Sequence, residues 1–498
     1  MKTSNAVRLV RFLVGLFFRR IEVSGAEHVP PSGGGILIAW HPNGLVDPAL
    51  IISAFPRPVV FGARHGLFRW PLIGRLMCAL GTVPIYRATD LQDGDVEARR
   101  KANRESLDAL AQAVCDGRFA ALFPEGVSHD DPFIQELKTG AARLYYRAKQ
   151  LCAQTGTPPV IIPVGIHYDD KTTFRSDALV EFHPPLALSA ELSAPIPAGD
   201  DETLRARSAE LTRVLEPVLQ EVTHATESWE LNQLMNRVRT LMRAERARRA
   251  GVSLKAPDMV ERTLGMARVW KAYYTRLRTE PERVEKLLER IASYDRALLE
   301  VKLEDDDLDK PPPIESKWLP LVLAVQAAVV FLVFPPLLLL GSLINAGPYF
   351  LINPISRIGS KQYKDTATIK LVAGLVLFPL TWLTAALLVG LGQIELHNSF
   401  HGVPRAPWAA GITTFLIGAL GGALALVYFE LVNNTWTSIK IRAKRKWGST
   451  IIRQLLQERT ELHDAIEEIR QGLDLPGDVL ADGRIGVPEF ALDLDDLP

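Results

Sequence analysis

His41 and Asp47 stand six positions apart in AWHPNGLVDP, directly after the apolar run Ile36 to Trp40. They therefore fall where a strand ends and a loop opens, the edge at which α/β proteins build their sites. An imidazole near neutral pH can take a proton from a hydroxyl. A carboxylate on its other nitrogen fixes the tautomer and stabilises the imidazolium that forms. That chemistry activates an alcohol as a nucleophile. The pair alone also suits a histidine that merely caps a strand, so it needs company.

Three further stretches supply it. LFPEGVSHD, Leu122 to Asp130, again follows an apolar run, and Pro124 and Gly126 predict a tight turn. Such a turn leaves the N–H groups near Gly126 and Val127 free to face an anion. Glu125 carries the wrong charge for phosphate, but it can accept a hydrogen bond from a hydroxyl or hold an arginine. GTVPIYR ends an apolar run in Arg87, and VVFGAR ends another in Arg64. A guanidinium at such an edge can clamp a phosphate with two parallel hydrogen bonds. IIPVGIHY, Ile161 to Tyr168, is mostly apolar and, with Pro163, offers a wall for a hydrocarbon chain. No GxSxG or Cys–His nucleophile accompanies these residues. His129 and His167 lie in the stretches read as binding.

The elements that must position these residues follow from periodicity. GILIAW, RPVVFG, GTVPIY, FAALF, VIIPVG and ALVEF read as buried strands, with helical stretches at Asp95 to Cys115 and Leu137 to Thr155. Alternating strands and helices predict an α/β domain over residues 25–200, a mixed sheet flanked by helices. Before it, residues 1–24 contain RLVRFLVGLFFRR, too short to span a bilayer and laced with arginine. That predicts an amphipathic helix in a membrane interface. A helical region covers residues 201–303, where Val284, Leu287, Ile291, Tyr294, Leu298 and Val301 form a short coiled-coil-like seam. EDDDLDKPPP marks a linker over residues 304–317.

Residues 318–434 hold three long apolar stretches: Trp318 to Ile352, Leu371 to Leu391 and Ala409 to Val432. The last two have the length and purity of membrane-crossing helices. Pro335-Pro336 breaks the first near its middle, which predicts a re-entrant hairpin. Basic residues flank it on both sides, whereas the loop Gly392 to Pro407 has only Arg405. The positive-inside rule then puts the catalytic domain on the cytoplasmic face. Residues 435–498 comprise a basic run, a last amphipathic helix and an acidic tail expected to be mobile.

Lys+Arg and Asp+Glu are both 57, which removes any global electrostatic case for nucleic acid. Cys78, Cys115 and Cys152 show neither a CxxC spacing nor an even number. The expectation is free thiols, no disulfide and no metal site.

Taken in order, the four stretches resemble the conserved blocks of the glycerolipid acyltransferases: His and Asp, then a block ending in Arg, then FPEG, then an apolar block with Pro. The likeness covers residues 20–190. The commonest family spacing leaves four residues between His and Asp, and here there are five. The fungal glycerol-3-phosphate acyltransferase branch is similar in carrying five, and FPEGVSHD, LKTGAAR and FRSDALVEF resemble that branch too. The resemblance implies a membrane-bound enzyme. It would move a fatty acyl group from an acyl thioester, acyl-CoA or acyl carrier protein, to glycerol-3-phosphate, with no metal and no other cofactor. It implies His41 as base, Asp47 as its orienter, Arg87 and Arg64 as phosphate ligands, and Glu125, Gly126 and Ser128 around the acceptor. Two alternatives are lysophosphatidate as the acceptor, and a catalytically silent membrane scaffold.

Overall fold

The computed structural model describes residues 4–86, 96–153, 157–197, 199–252, 255–309, 334–359, 366–400, 402–424 and 449–486, with isolated positions at 325, 328, 332, 428 and 432. The described chain divides into two compact units. One comprises Met1–Leu288 with Ile466–Pro498, and the other Glu289–Ala465.

The first unit is built on a seven-stranded sheet: β1 (Arg20–Ser24), β2 (Gly35–Ala39), β3 (Val59–Arg64), β4 (Val83–Ile85), β5 (Phe119–Leu122), β6 (Val160–Tyr168) and β7 (Asp177–Phe182). Their order across the sheet is β1-β7-β6-β2-β5-β3-β4. β6, β2, β5, β3 and β4 run parallel, while β7 turns back antiparallel to β6 and takes β1 beside it in parallel. The carboxyl ends of five strands thus share one edge. β1 is the strand that periodicity misses, because RIEVS alternates charge with apolar residues at the border of the sheet.

Helices cover both faces. α1 (Asn5–Phe17) and α2 (Val46–Ala54) lie on one, and α4 (Val96–Cys115) and α5 (Gly140–Cys152) on the other. α3 (Pro71–Ala79) precedes β4. On the second face Ile36, Ile38, Val60, Ala120 and Ile161 pack with Leu110, Tyr145 and Tyr146 in one core. α6 (Ala190–Ser193) is a short turn, and α7 (Asp201–Thr223) adds Leu211, Leu215 and Leu219 to that core. α8 (Trp229–Ala250) and α9 (Met259–Thr279) follow.

α1 buries Val10, Val14 and Phe17 against its own unit, and Phe18 just beyond it is also buried. Removing each such side chain from water stabilises by roughly 1.5–3 kcal/mol. Its opposite face leaves Leu9, Phe12 and Leu16 exposed, the last two at 65% and 42%.

Two expectations are corrected. Cys115 and Cys152 are joined by a disulfide that ties the last residues of α4 and α5 together, Cα to Cα 5.1 Å. The cysteines stand 37 residues apart; only the packing of two helices on one sheet face brings them together, which spacing alone does not report. Closing a loop of that size stabilises by about 2–4 kcal/mol in the chain-entropy account. Reduction of the oxidised protein is therefore expected to lower its Tm, and a Cys115→Ser/Cys152→Ser variant to show the lower Tm with or without reductant. Equal Tm for oxidised and reduced wild type would refute the bond.

The tail is the second. Residues 471–486 fold back as a hairpin, β8 (Asp478–Val479) antiparallel to β9 (Ile485–Gly486). The Arg268 guanidinium of α9 donates to the carbonyls of Pro476 at 2.8 Å and Gly477 at 2.6 Å. Arg276 donates to those of Ile469 and Gln471, both at 2.6 Å. Acidic, glycine-rich composition suggests mobility, but these carbonyls have charged partners waiting on α9. The remainder of the tail, residues 487–498, lies outside the described residues.

The second unit contains most of α10 (Pro281–Val301), then α11 (Asp305–Asp309), α12 (Phe334–Gly359), α13 (Thr366–Ser399), α14 (Pro407–Leu424) and most of α15 (Ser449–Arg470). The seam read in α10 is covered within the chain: Ile291, Tyr294 and Leu298 are buried. α11 lies inside the segment read as a linker. It is held by fully buried Arg459, which donates to the Asp305 carbonyl at 3.0 Å and to Asp309 at 2.8 Å. Pro335-Pro336 sit in the first turn of α12, where proline is tolerated. Most of the residues read as the first arm of the hairpin lie outside the described ones.

Thr368–Ser399 and Pro407–Leu424 are long and apolar enough to cross a membrane. Asn345 of α12 is a buried polar residue among these helices. It donates to the carbonyls of Gly341 and Gly418, each at 2.8 Å, and accepts from the Trp382 indole at 2.9 Å.

Candidate active site

β2 ends at Ala39 and delivers His41 to the carboxyl edge of the sheet. Asp47 is not in a loop, as spacing suggested, but in the first turn of α2. There the helix dipole favours its negative charge. Its carboxylate is fully buried and saturated with donors. Oδ2 is 2.8 Å from His41 Nδ1 and accepts the Asn43 backbone N–H at 2.7 Å. Oδ1 accepts the Tyr168 hydroxyl. A carboxylate can only accept, so His41 carries its proton on Nδ1 and its Nε2 keeps a lone pair. The ring stacks on Phe123 with centroids 3.9 Å apart and planes 11° apart. The histidine is thus fixed in tautomer and in plane.

Tyr168 closes β6, on the strand face opposite to that of Ile161. Burial pushes its phenol well above the usual range, and the Asp47 charge beside it adds to the effect. It remains a hydroxyl donor at any physiological pH. In the sequence it closes an apolar block, and nothing local marks it as a partner of Asp47.

Glu125 follows β5 and is buried. Its Oε1 accepts from the Gln135 backbone N–H at 2.8 Å and lies 2.5 Å from His129 Nε2. His129 Nδ1 accepts the Asp131 N–H at 3.2 Å, which leaves the ring proton on Nε2 for the shorter contact to Glu125, and the Trp40 indole nitrogen lies 3.3 Å from that same Nε2. Both nitrogens are committed, and His129 serves as a prop for the carboxylate. Glu125 Oε2 is buried without a partner among the described residues. It is an acceptor waiting for a donor. The loop is joined to the first site by the His129 N–H, which donates to the His41 carbonyl at 3.2 Å.

Gly126 has φ +70°, a left-handed turn that suits glycine. Its N–H closes that turn onto the Phe123 carbonyl at 2.9 Å rather than facing an anion. Ser128 is half-buried in the same loop. Arg64 ends β3, exposed, in register with Ile85 of β4, on the edge that carries His41 and Glu125. The side chains of His65 and Tyr86 stack there at 4.5 Å. Arg87 follows Tyr86 and lies outside the described residues. Pro163 is buried in β6 and shares the face of Ile161, opposite to that of Tyr168. It accepts from the His183 N–H at its carbonyl, and its missing N–H ends the β6–β7 ladder there. His167 also points to that other face, 3.8 Å from Glu181, and burial holds it neutral, pushed down to about 4. It takes no part in this site.

A hydrogen-bonded His–Asp pair and a buried carboxylate lie at one edge of a mixed sheet, and the acyltransferase family model matches residues 20–167. Residues 20–167 thus carry an acyltransferase domain, and the relatives that the chain resembles include fungal glycerol-3-phosphate acyltransferases. The chain is similar to glycerol-3-phosphate O-acyltransferases 1 and 2 of Saccharomyces cerevisiae, 27% and 24% identical over 62% of this chain and over 37% and 41% of those proteins. It therefore spans about two fifths of their length. A 1-acyl-sn-glycerol-3-phosphate acyltransferase of Borreliella burgdorferi is 24% identical over 32% of this chain and 55% of that protein. Among solved structures, the 1-acyl-sn-glycerophosphate acyltransferase of Thermotoga maritima aligns at 17% identity and a TM-score of 0.28, over 43% of this chain and 80% of that one.

Proposed function

We propose that this chain is a membrane-bound glycerol-3-phosphate O-acyltransferase. The observation that carries this reading is the His41 ring, fixed by Asp47 and Phe123 with its Nε2 lone pair unspent. Nε2 takes the proton of an acceptor hydroxyl as the oxygen attacks the thioester carbonyl. The tetrahedral intermediate collapses, the C–S bond breaks, and the thiolate leaves with the proton from His41. Glu125 Oε2 accepts from a hydroxyl of the acceptor, and Arg64 and Arg87 hold its phosphate. The resemblance of the FPEGVSHD and LKTGAAR segments to the fungal branch favours glycerol-3-phosphate over lysophosphatidate. Purified protein incubated with an acyl thioester and each acceptor in turn tests this. Acylation of glycerol-3-phosphate supports it. Acylation of lysophosphatidate alone selects the alternative acceptor, and no acylation of either leaves the scaffold reading.

The membrane reading has its own support. The segment 289–465 leaves the first unit and returns to it, because the hairpin of residues 478–486 docks on α9. Both ends must lie on one side of any bilayer that this segment crosses, so the number of crossings is even. Thr368–Ser399 and Pro407–Leu424 supply one pair, and the re-entrant reading of the preceding apolar stretch keeps the count even. Leu380, Leu383, Leu387 and Leu388 of α13 are each more than half exposed, an apolar surface that lipid covers more readily than water. The exposed Leu9, Phe12 and Leu16 of α1, beside Arg8 and Arg11, suit an anionic leaflet. Single cysteines in a cysteine-free background provide the test. Ser360→Cys and Ala481→Cys are expected to react from the side of the catalytic domain, and Ser399→Cys only from the opposite side. Labelling of Ser360→Cys from the opposite side alone refutes the even count.

A further inference from the structure

We propose that Tyr168 is a positioning residue for acyl transfer: its hydroxyl holds the Asp47 carboxylate in place and limits how strongly that carboxylate supports the imidazolium of His41. This rests on the reading of His41 as the base. Asp47 has no exposure to water. Of its two oxygens, Oδ2 already serves His41 and the Asn43 N–H. Oδ1 accepts the Tyr168 hydroxyl. A buried carboxylate oxygen stripped of a donor is left with its desolvation unrelieved, so the Tyr168 hydroxyl fixes the rotation of the carboxylate as well as its charge. The phenol comes from the end of a strand, and its ring rests against Phe18 at 5.8 Å. The loop that carries His41 is pinned to the β6–β7 turn beside it, where the Asn43 amide donates to the Lys171 carbonyl at 2.9 Å.

The direction of the effect follows from counting donors. Each donor on Asp47 draws charge out of the oxygen that faces His41. Removing one leaves a more basic carboxylate, which stabilises the imidazolium in the resting enzyme. More enzyme is then protonated at a given pH, and the acidic limb of the kcat profile moves to higher pH. A carboxylate free to rotate also orients the ring less well, which lowers kcat at the plateau.

Tyr168→Phe keeps the ring and removes only the hydroxyl. The expected result is a kcat lowered by about 10- to 100-fold, within the range of small misplacements at a reacting centre. KM for either substrate stays within a few-fold, and the acidic limb is raised. Replacing Tyr168 by 3-fluorotyrosine keeps the fold and makes a stronger donor, so the limb is expected to move the other way, to lower pH. Opposite shifts in the two variants support the proposal. A lowered Tm with both limbs unmoved overturns it, because Tyr168 is then packing alone. Unchanged kcat and limb in both variants, with His41→Ala inactive, overturns it while the base assignment stands. Near-normal turnover by His41→Ala removes the base assignment itself, whatever Tyr168 does.

Discussion

His41→Ala is expected to lose turnover by at least about 10²- to 10⁴-fold, the range for removal of a positioned general base. The acyltransferase assay on purified protein reads this directly. The protein should still fold. The imidazole is at the edge of the sheet and keeps 16% of its side chain exposed. Its removal leaves Asp47 with the Asn43 N–H and the Tyr168 hydroxyl. Those two donors are why the loss should appear in kcat more than in Tm. Near-normal turnover in a folded His41→Ala protein would sink the mechanism, since His129 has both ring nitrogens committed and His167 points to the other face.

The features readable from the sequence are those with a local signal. Buried parallel strands announce themselves as unbroken apolar runs, and the runs at β2, β3, β5 and β6 agree with the strands to within a few residues of their ends. Since each ran parallel, the residues just after them had to meet, and His41, Arg64 and Glu125 do share an edge. What was not readable depended on distance in the chain. Asp47 belongs to VDPALIISA, a helix so evenly apolar that it has no face, and it reads as loop or strand. Tyr168 is 121 residues from Asp47 and Cys152 is 37 from Cys115; only the sheet brings either pair together. Residues 471–486 look like a solvated tail until Arg268 and Arg276 of α9 are placed against the carbonyls of Pro476, Gly477 and Gln471.

Glu125→Gln separates the acceptor site from the base, with an expected loss smaller than that of His41→Ala and confined to the acceptor. The amide is isosteric, and its oxygen in the Oε1 place still accepts from Gln135 N–H and from His129 Nε2–H. The loop should therefore keep its shape. The change falls on the other atom. Oε2, buried and without a partner among the described residues, becomes an NH2 group that donates. A substrate hydroxyl that gave its proton to Oε2 now meets a donor, and a charge-assisted hydrogen bond is replaced by a mismatch. Hydrogen bonds to charged groups contribute about 1.5–3 kcal/mol. A loss of that size in kcat/KM for the acceptor is about 10- to 100-fold. The donor KM should not move, because the carboxylate is assigned to the acceptor hydroxyl and not to the thioester. Steady-state kinetics with each substrate varied in turn would decide it. If the donor KM rises and the acceptor terms are unchanged, Glu125 belongs to the thioester side of the site. If neither changes in a folded protein, its free oxygen faces no substrate, and the acceptor must be held by the arginines alone.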